Sequence, residues 1–214
     1  SHRNVLRVDP ATGATTVTVP DCAPNTIAVG PDGVIYVHRW SNRGTDPIHA
    51  YGADGKLLRT LGRPGGHRPG PWDAEQLENV VALAADRGGS LWVVEGGDYP
   101  RRIAQFRADG TFVKEILGNT YYGGGGGGSV NRYRPERAWY GRVEFEVDWA
   151  KGRSRVRGIL AESLAASDLV AARVAGSPHT YLVSAPHSME ARQAYGIVYL
   201  YDGTSGTVRP VAAM

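Results

Sequence analysis

The 214-residue sequence predicts an all-β fold of short strands in repeated sheets, and three observations carry that expectation. Glycine (29 residues) and proline (13) are abundant, which favours many tight turns over long helices. Runs rich in β-branched and aromatic residues, such as "GVIYV" (33–37) and "SLWVV" (90–94), each follow a turn signal, "PDG" or "RGG". Two long stretches, 29–62 and 83–118, share one plan, with landmarks offset by 55–56 residues.

Within that plan Ile35-Tyr36-Val37 answers Leu91-Trp92-Val93, Ile48 answers Ile103, Asp54-Gly55 answers Asp109-Gly110, and Gly62 answers Gly118. "PIHAYGADGKLLRTL" (47–61) and "RIAQFRADGTFVKEIL" (102–117) read as hairpins, with Ala-Asp-Gly at the turn and apolar residues alternating along both arms. Each unit is therefore a turn, an inner strand, a loop and a hairpin.

Partial copies flank the pair. "NVLRVDPATGATTVTV" (4–19) reads as a hairpin half whose first strands are missing, and "RVEFEVDWAKGRSRVRGIL" (142–160) as a strand pair around a Lys-Gly turn. "HTYLVSAP" (179–186) reads as an inner strand and "GIVYLYDGTSGTVRPVAA" (196–213) as a closing hairpin. "AESLAASDLVAA" (161–172) has helix-like composition and is either a short helix or an irregular connection. Units that cannot bury their own faces must stack, so the expected fold is a single β-propeller domain over 1–214. Its approximate units are 4–19 (partial), 27–62, 80–118 and 142–213 (divergent), about four blades or part-blades. Propellers close with roughly 4–8 blades, so an incomplete ring is expected. The start "SHRNVLRV", with neither methionine nor a signal-like apolar stretch, is read as an excised piece, attached to further domains or blades.

Composition excludes several classes. Hydrophobic residues at 42% and charged residues at 21% fit a chain with a core. Lys plus Arg (24) against Asp plus Glu (21) leaves +3, spread along the chain, so no nucleic-acid partner is expected. A lone cysteine, Cys22, excludes an intrachain disulfide and a multi-cysteine zinc site, and it lacks an obvious activating partner. No apolar run approaches the ~20 residues of a membrane helix, so no membrane insertion is expected.

The repeat resembles NHL-repeat propellers, whose pattern is a Gly-rich turn, an Ile/Leu-Tyr/Trp-Val strand, Arg-Ile, and then Phe-x-x-Asp-Gly. The second copy, Arg102-Ile103 through Gly118, is the closer match; the first has Pro47-Ile48 in place of Arg-Ile. The resemblance covers 27–118 and weakens beyond 142. It implies a bacterial, extracellular or periplasmic protein whose propeller binds a protein or carbohydrate ligand without catalysis. Related propellers include calcium-dependent lactonases and a zinc lyase, which keeps open a metal-dependent hydrolase or lyase.

The six glycines Gly123–Gly128 in "GNTYYGGGGGGSV" (118–130) lead to no Gly-Lys-Ser/Thr and open no helix, so a phosphate loop is excluded. An inter-blade loop carrying Tyr121 and Tyr122 is expected instead, because strand-like sequence continues on both sides. "VVEGGDYP" (93–100) places Glu95, Asp98 and Tyr99 after an inner strand, at the mouth of a propeller; His38 and Arg39 stand at the matching place in the first copy, with Trp40 next to them. Trp40, Glu95, Asp98 and Tyr99, with Tyr121 and Tyr122, are the expected ligand-binding set. His38, Glu95 and His187 occupy similar post-strand positions on three units and form the candidate set for zinc or another divalent metal such as calcium. The alternative reading makes each an ordinary loop or channel residue, with no cofactor.

Nucleophilic catalysis has little footing. Ser184 and Ser188 lie near His187 without a Gly-x-Ser-x-Gly elbow. Glu144, Glu146 and Asp148 share one strand face and are read as a solvated outer face rather than a glycosidase pair. "NRYRPERAWYGR" (131–142) is read as a loop clamped by its aromatics, with an anion or sugar surface as the alternative.

Overall fold

The computed structural model describes residues 3–40, 44–97, 100–118, 128–161, 168–185 and 196–213. Every regular element among them is a β-strand. The chain divides into two compact units, one of residues 1–66, 74–97 and 101–118, the other of 67–73, 98–100 and 119–214.

The first unit opens with a hairpin, β1 (Val5–Val8) and β2 (Thr15–Val19). Two four-stranded antiparallel meanders follow. One runs β3 (Pro24–Val29), β4 (Ile35–Arg39), β5 (Ile48–Tyr51), β6 (Leu57–Leu61). After β7 (Gly70–Pro71) comes the other: β8 (Val80–Ala85), β9 (Leu91–Glu95), β10 (Arg102–Phe106), β11 (Phe112–Leu117). Both meanders carry bulges at matching places. One lies at the start of the first strand, between Pro24 and Thr26 and between Val80 and Ala82. The other lies beside the Asp-Gly turn, between Ala50 and Tyr51 and between Gln105 and Phe106. The repeat read in the sequence is thus a repeat of backbone register, extended by a first strand in each copy.

The two meanders share one core of Tyr36, Ile48, Leu61, Leu91, Val93 and Phe106. Each such side chain is worth about 1.5–3 kcal/mol on burial. Their first strands lie side by side, and Asn25 Nδ2 donates to the Val80 carbonyl across that seam at 2.9 Å. The β1–β2 hairpin packs Val5 and Val19 against Ile35, Val37 and Cys22, which makes the lone thiol a buried core group.

The second unit holds two further sheets. One comprises β12 (Gly128–Val130), β13 (Arg137–Tyr140), β14 (Val143–Asp148) and β15 (Arg153–Ile159), with β7 added beside β15. The other is β16 (Asp168–Arg173), β17 (Thr180–Ala185), β18 (Ile197–Asp202), β19 (Thr207–Ala213). Here too the first strands are neighbours, and the Ser129 hydroxyl donates to the Leu169 carbonyl across the seam. Trp139, Leu160, Leu169, Leu182, Tyr199 and Tyr201 form the core.

Several expectations change. The stretch 142–213, read as one divergent unit, carries strands of two sheets. The alanine-rich 161–172 contributes strand β16, because a full ladder to β17 outweighs alanine's helix preference; 162–167 lie outside the described residues. "NRYRPERAWYGR" contains strand β13, and Trp139 is core. Tyr133 lies under the Arg173 guanidinium at 4.5 Å, so the clamp reading fits that stretch. Of the glycine run only Gly128 is described, opening β12; the unit boundary falls just ahead of the run, at 118/119, yet 67–73 and 98–100 also belong to the second unit.

One contact recurs in the first unit. The turn joining third and fourth strands rests on the outer strand of the preceding sheet, Gly55 on Thr18 of β2 and Gly110 on Thr60 of β6, whereas Gly206 in the second unit lies beside the Glu144 and Arg157 side chains. Gly55 is the tightest. Its φ is +79°, and a Cβ there would stand 1.9 Å from the Thr18 carbonyl oxygen. Gly13 has a similar φ of +72° with open space around it. Gly13→Ala is therefore expected to cost about 1 kcal/mol for the left-handed backbone alone, and Gly55→Ala more than about 2 kcal/mol. Urea unfolding of the two variants checks the difference.

Candidate functional site

The polar groups of the first unit gather where second strands end and third strands begin. Register places Arg102 opposite Glu95, and both side chains point into the sheet interior. Arg102 Nε donates to Glu95 Oε2 at 2.5 Å, and Nη1 donates to Glu115 Oε2 at 2.7 Å. Nη1 and Nη2 also reach back to the segment before β8, to the Ala74 carbonyl (2.9 Å) and the Gln76 carbonyl (2.5 Å), and Nη2 donates to Glu95 Oε1 as well (3.3 Å). Glu95 Oε1 also accepts the Glu78 amide at 2.9 Å. Burial opposes the charge on Arg102, but the two carboxylates more than offset it and hold the guanidinium above its ordinary value. The network ties β9, β10, β11 and residues 74–78 together.

This changes the part expected of Glu95. It was read as a mouth residue free to take a ligand or metal; its carboxylate is buried and engaged by Arg102 and a backbone amide. The arginine of the Arg-Ile pair, which sequence reading used only as a repeat marker, is the residue that makes this so.

His38 lies near the same end of the preceding meander, one position short of the one that answers Glu95. Continuing the register of β4 with β5 sets it opposite Ile48, as Val94 stands opposite Ile103 in the neighbouring sheet. The ring is fully buried, and neither nitrogen has a hydrogen-bond partner among the described residues. Burial pulls its pKa below the ordinary 6.5, opposed by the Asp46 carboxylate, the Gly44 and Asp46 carbonyls, and Glu95.

Trp40, one residue beyond β4, is 74% exposed. Its backbone is held firmly: the Trp40 amide donates to the Ala23 carbonyl at 2.8 Å, and Arg39 donates to the Cys22 and Asp21 carbonyls. Asp98, Tyr99, Tyr121, Tyr122 and His187 lie outside the described residues. Among the described residues no group of three or more His, Cys, Asp and Glu side chains is placed to hold a metal ion.

The second unit has its own buried network, which sequence reading missed. Glu144 was read as part of a solvated face with Glu146 and Asp148. Glu146 and Asp148 do meet Arg155 and Lys151 near solvent, but Glu144 is fully buried. It accepts from Arg157 Nη1 at 2.7 Å and from the Tyr201 hydroxyl, and Arg157 continues to the Gly203 carbonyl at 2.6 Å. Burial first, and then the bond to Glu144, pushes the Tyr201 phenol above its usual range. The turn at 203–206 covers this end of the strand, a non-local contact that alternation cannot reveal. Ser184 is buried and bonds the Ile197 backbone, which leaves it a structural hydroxyl.

Successive four-stranded antiparallel meanders with neighbouring first strands define the class: these sheets are β-propeller blades. No protein-family model matches the chain, and no curated protein matches it. Among solved structures the chain is similar to a gluconolactonase from Xanthomonas campestris, at 20% identity, covering 74% of this chain and 42% of that one, TM-score 0.40. It is also similar to TolB from Acinetobacter baumannii, at 13% identity, covering 96% and 50%, TM-score 0.38. A third is a quinonprotein alcohol dehydrogenase-like protein from Bacteroides thetaiotaomicron, at 11% identity, covering 100% and 54%, TM-score 0.37. The chain spans about half the length of the solved structures it matches.

Two outcomes follow from the buried groups. Arg102→Ala leaves Glu95 buried without its cation and is expected to cost about 3–5 kcal/mol in urea unfolding. For His38 the folded pKa is depressed, so the unfolded chain binds the extra proton first. Stability should be full above pH 6.5 and fall as pH drops from 6.5 through the folded value. His38→Gln should flatten that slope in unfolding curves taken between pH 7.5 and 5.

Proposed function

We propose that the chain is part of an NHL-like propeller that acts as a non-catalytic binding module of a larger, exported bacterial protein. The observation that carries this reading is the division of labour at the candidate site. The polar residues there, Glu95 and His38, are interior, while the aromatic Trp40 stands in solvent on a pinned backbone. An exposed, pre-positioned indole suits a carbohydrate ring or an apolar peptide side chain, and costs little entropy on binding. Asp98, Tyr99, Tyr121 and Tyr122 remain the other proposed contacts.

A metal-dependent hydrolase or lyase on His38, Glu95 and His187 is the second reading, favoured by the buried His38 ring, whose nitrogens lack a well-formed hydrogen bond among the described residues. In that reading Glu95 must release Arg102 before it can bind a cation.

The binding reading is tested by tryptophan fluorescence titration with soluble oligosaccharides and with peptides, wild type against Trp40→Ala. A saturable signal whose half-saturation concentration rises about tenfold or more in the variant, roughly 1.4 kcal/mol, is expected, with calorimetry giving the same shift. Binding unchanged by the substitution would move the site elsewhere.

A further inference from the structure

The segment 131–137 of the second unit, which joins β12 to β13, is a knuckle built on Asn131. That side chain is 2% exposed, and its Oδ1 accepts the Tyr133 and Arg134 amides at 2.9 and 3.2 Å. Backbone bonds close the knuckle. The Arg134 amide donates to the Asn131 carbonyl at 3.0 Å, the Arg137 amide to the Arg134 carbonyl at 2.9 Å, and the Asn131 amide to the Arg137 carbonyl at 2.8 Å. On this firm base sit two features that the fold does not use.

The first is an indole. Trp149, in the turn between β14 and β15, is 61% exposed, yet its Nε1 donates to the Pro135 carbonyl at 2.7 Å. The ring plane is therefore fixed while most of its surface stays in solvent. The pairing Arg137↔Glu146 brings that turn to the end of the sheet where the knuckle lies. The second feature is a pair of cations. Arg132 and Arg173 stand 5.8 and 4.5 Å from the Tyr133 ring centroid, Arg173 reaching over from the end of the neighbouring strand β16. Lys151, Arg155 and Arg157 of the knuckle's own sheet each meet a carboxylate. Arg132 and Arg173 form no ion pair among the described residues, and both are exposed, as is Tyr133. The attraction of an exposed guanidinium to a ring is weak and two like charges beside one ring repel, so this group gains most from an anion.

We propose that Trp149 and the Arg132–Tyr133–Arg173 group form a binding site for an acidic polysaccharide, with a pyranose ring on the indole and a uronate carboxylate on the guanidiniums. Tyr133 and Pro135 are two residues apart, so at most ~7 Å separates their Cα atoms, a span that neighbouring sugars of one chain cover. The C–H face of a sugar packs on an indole, and a planar guanidinium takes a carboxylate through paired hydrogen bonds. Nucleic acid fits less well. The chain carries only +3, and the exposed Glu136 and the Asp148–Lys151 pair (2.9 Å) border the site. The site lies within the second unit and does not depend on Trp40.

Calorimetric titration of the chain tests this, with oligogalacturonate and oligoalginate as acidic probes, and a neutral galactose oligosaccharide and single-stranded DNA as competitors in kind. At least one acidic probe should bind saturably, at least tenfold more tightly than the neutral oligosaccharide, and more weakly as salt is added. Arg173→Ala and Trp149→Ala should each raise its Kd about tenfold. Glu136→Gln, which touches neither feature, should lower it a few-fold by removing a repulsive charge. Absence of saturable binding by both acidic probes would overturn the proposal. So would equal affinity for the neutral oligosaccharide, tighter binding of the DNA, or acidic-probe binding that survives both Arg173→Ala and Trp149→Ala.

Discussion

The repeat depends on a close approach of two backbones. A turn between third and fourth strands settles on the outer strand of the sheet before it, and at Gly55 the gap leaves no room for a side chain. That contact spaces the β1–β2 hairpin and the first meander, and its relative at Gly110 does the same for the two meanders. Shared apolar cores then fill the space the turns define, and one side-chain hydrogen bond, from Asn25 or Ser129, stitches the first strands. Regular spacing comes from the turns and cohesion from the cores.

On that frame each unit places a buried carboxylate–arginine pair at a sheet end, Glu95 with Arg102 and Glu144 with Arg157. Neither carboxylate is left to solvent. In both cases the arginine also bonds backbone carbonyls from outside its own hairpin, so the pair fixes a neighbouring segment as well as a strand register. Such pairs contribute little net stability compared with an apolar filling, but removing one partner is costly. Their service is to hold the segments 74–78 and 203–204 against the strand ends.

Much of this was legible in the sequence. The Asp-Gly hairpins, the 4–19 hairpin and the 142–160 pair follow from alternation and turn chemistry, which are local. The first strands β3 and β8 were missed because they are defined by a partner and a seam rather than by a turn on both sides. β16 was hidden by alanine, and β13 by the arginines and proline around it. The site residues were harder still. His38 and Glu95, expected just after a strand, lie within β4 and β9, and whether such a side chain turns inward depends on register and on what lies over it. Arg102, seven residues after Glu95, meets it only because the two strands pair in the register they do. Glu144 differs from Glu146 through the cover of a turn some sixty residues later.

We propose that His38 and Glu95 serve the architecture of the first unit rather than a catalytic metal centre, since Glu95 is engaged by Arg102 and the Glu78 amide and His38 is buried. Elemental analysis of the purified chain, after dialysis against buffer containing equimolar zinc and calcium and then against metal-free buffer, tests it most directly. Well under a tenth of an equivalent of either metal is expected, unchanged by His38→Ala. A stoichiometric metal lost on that substitution would contradict it.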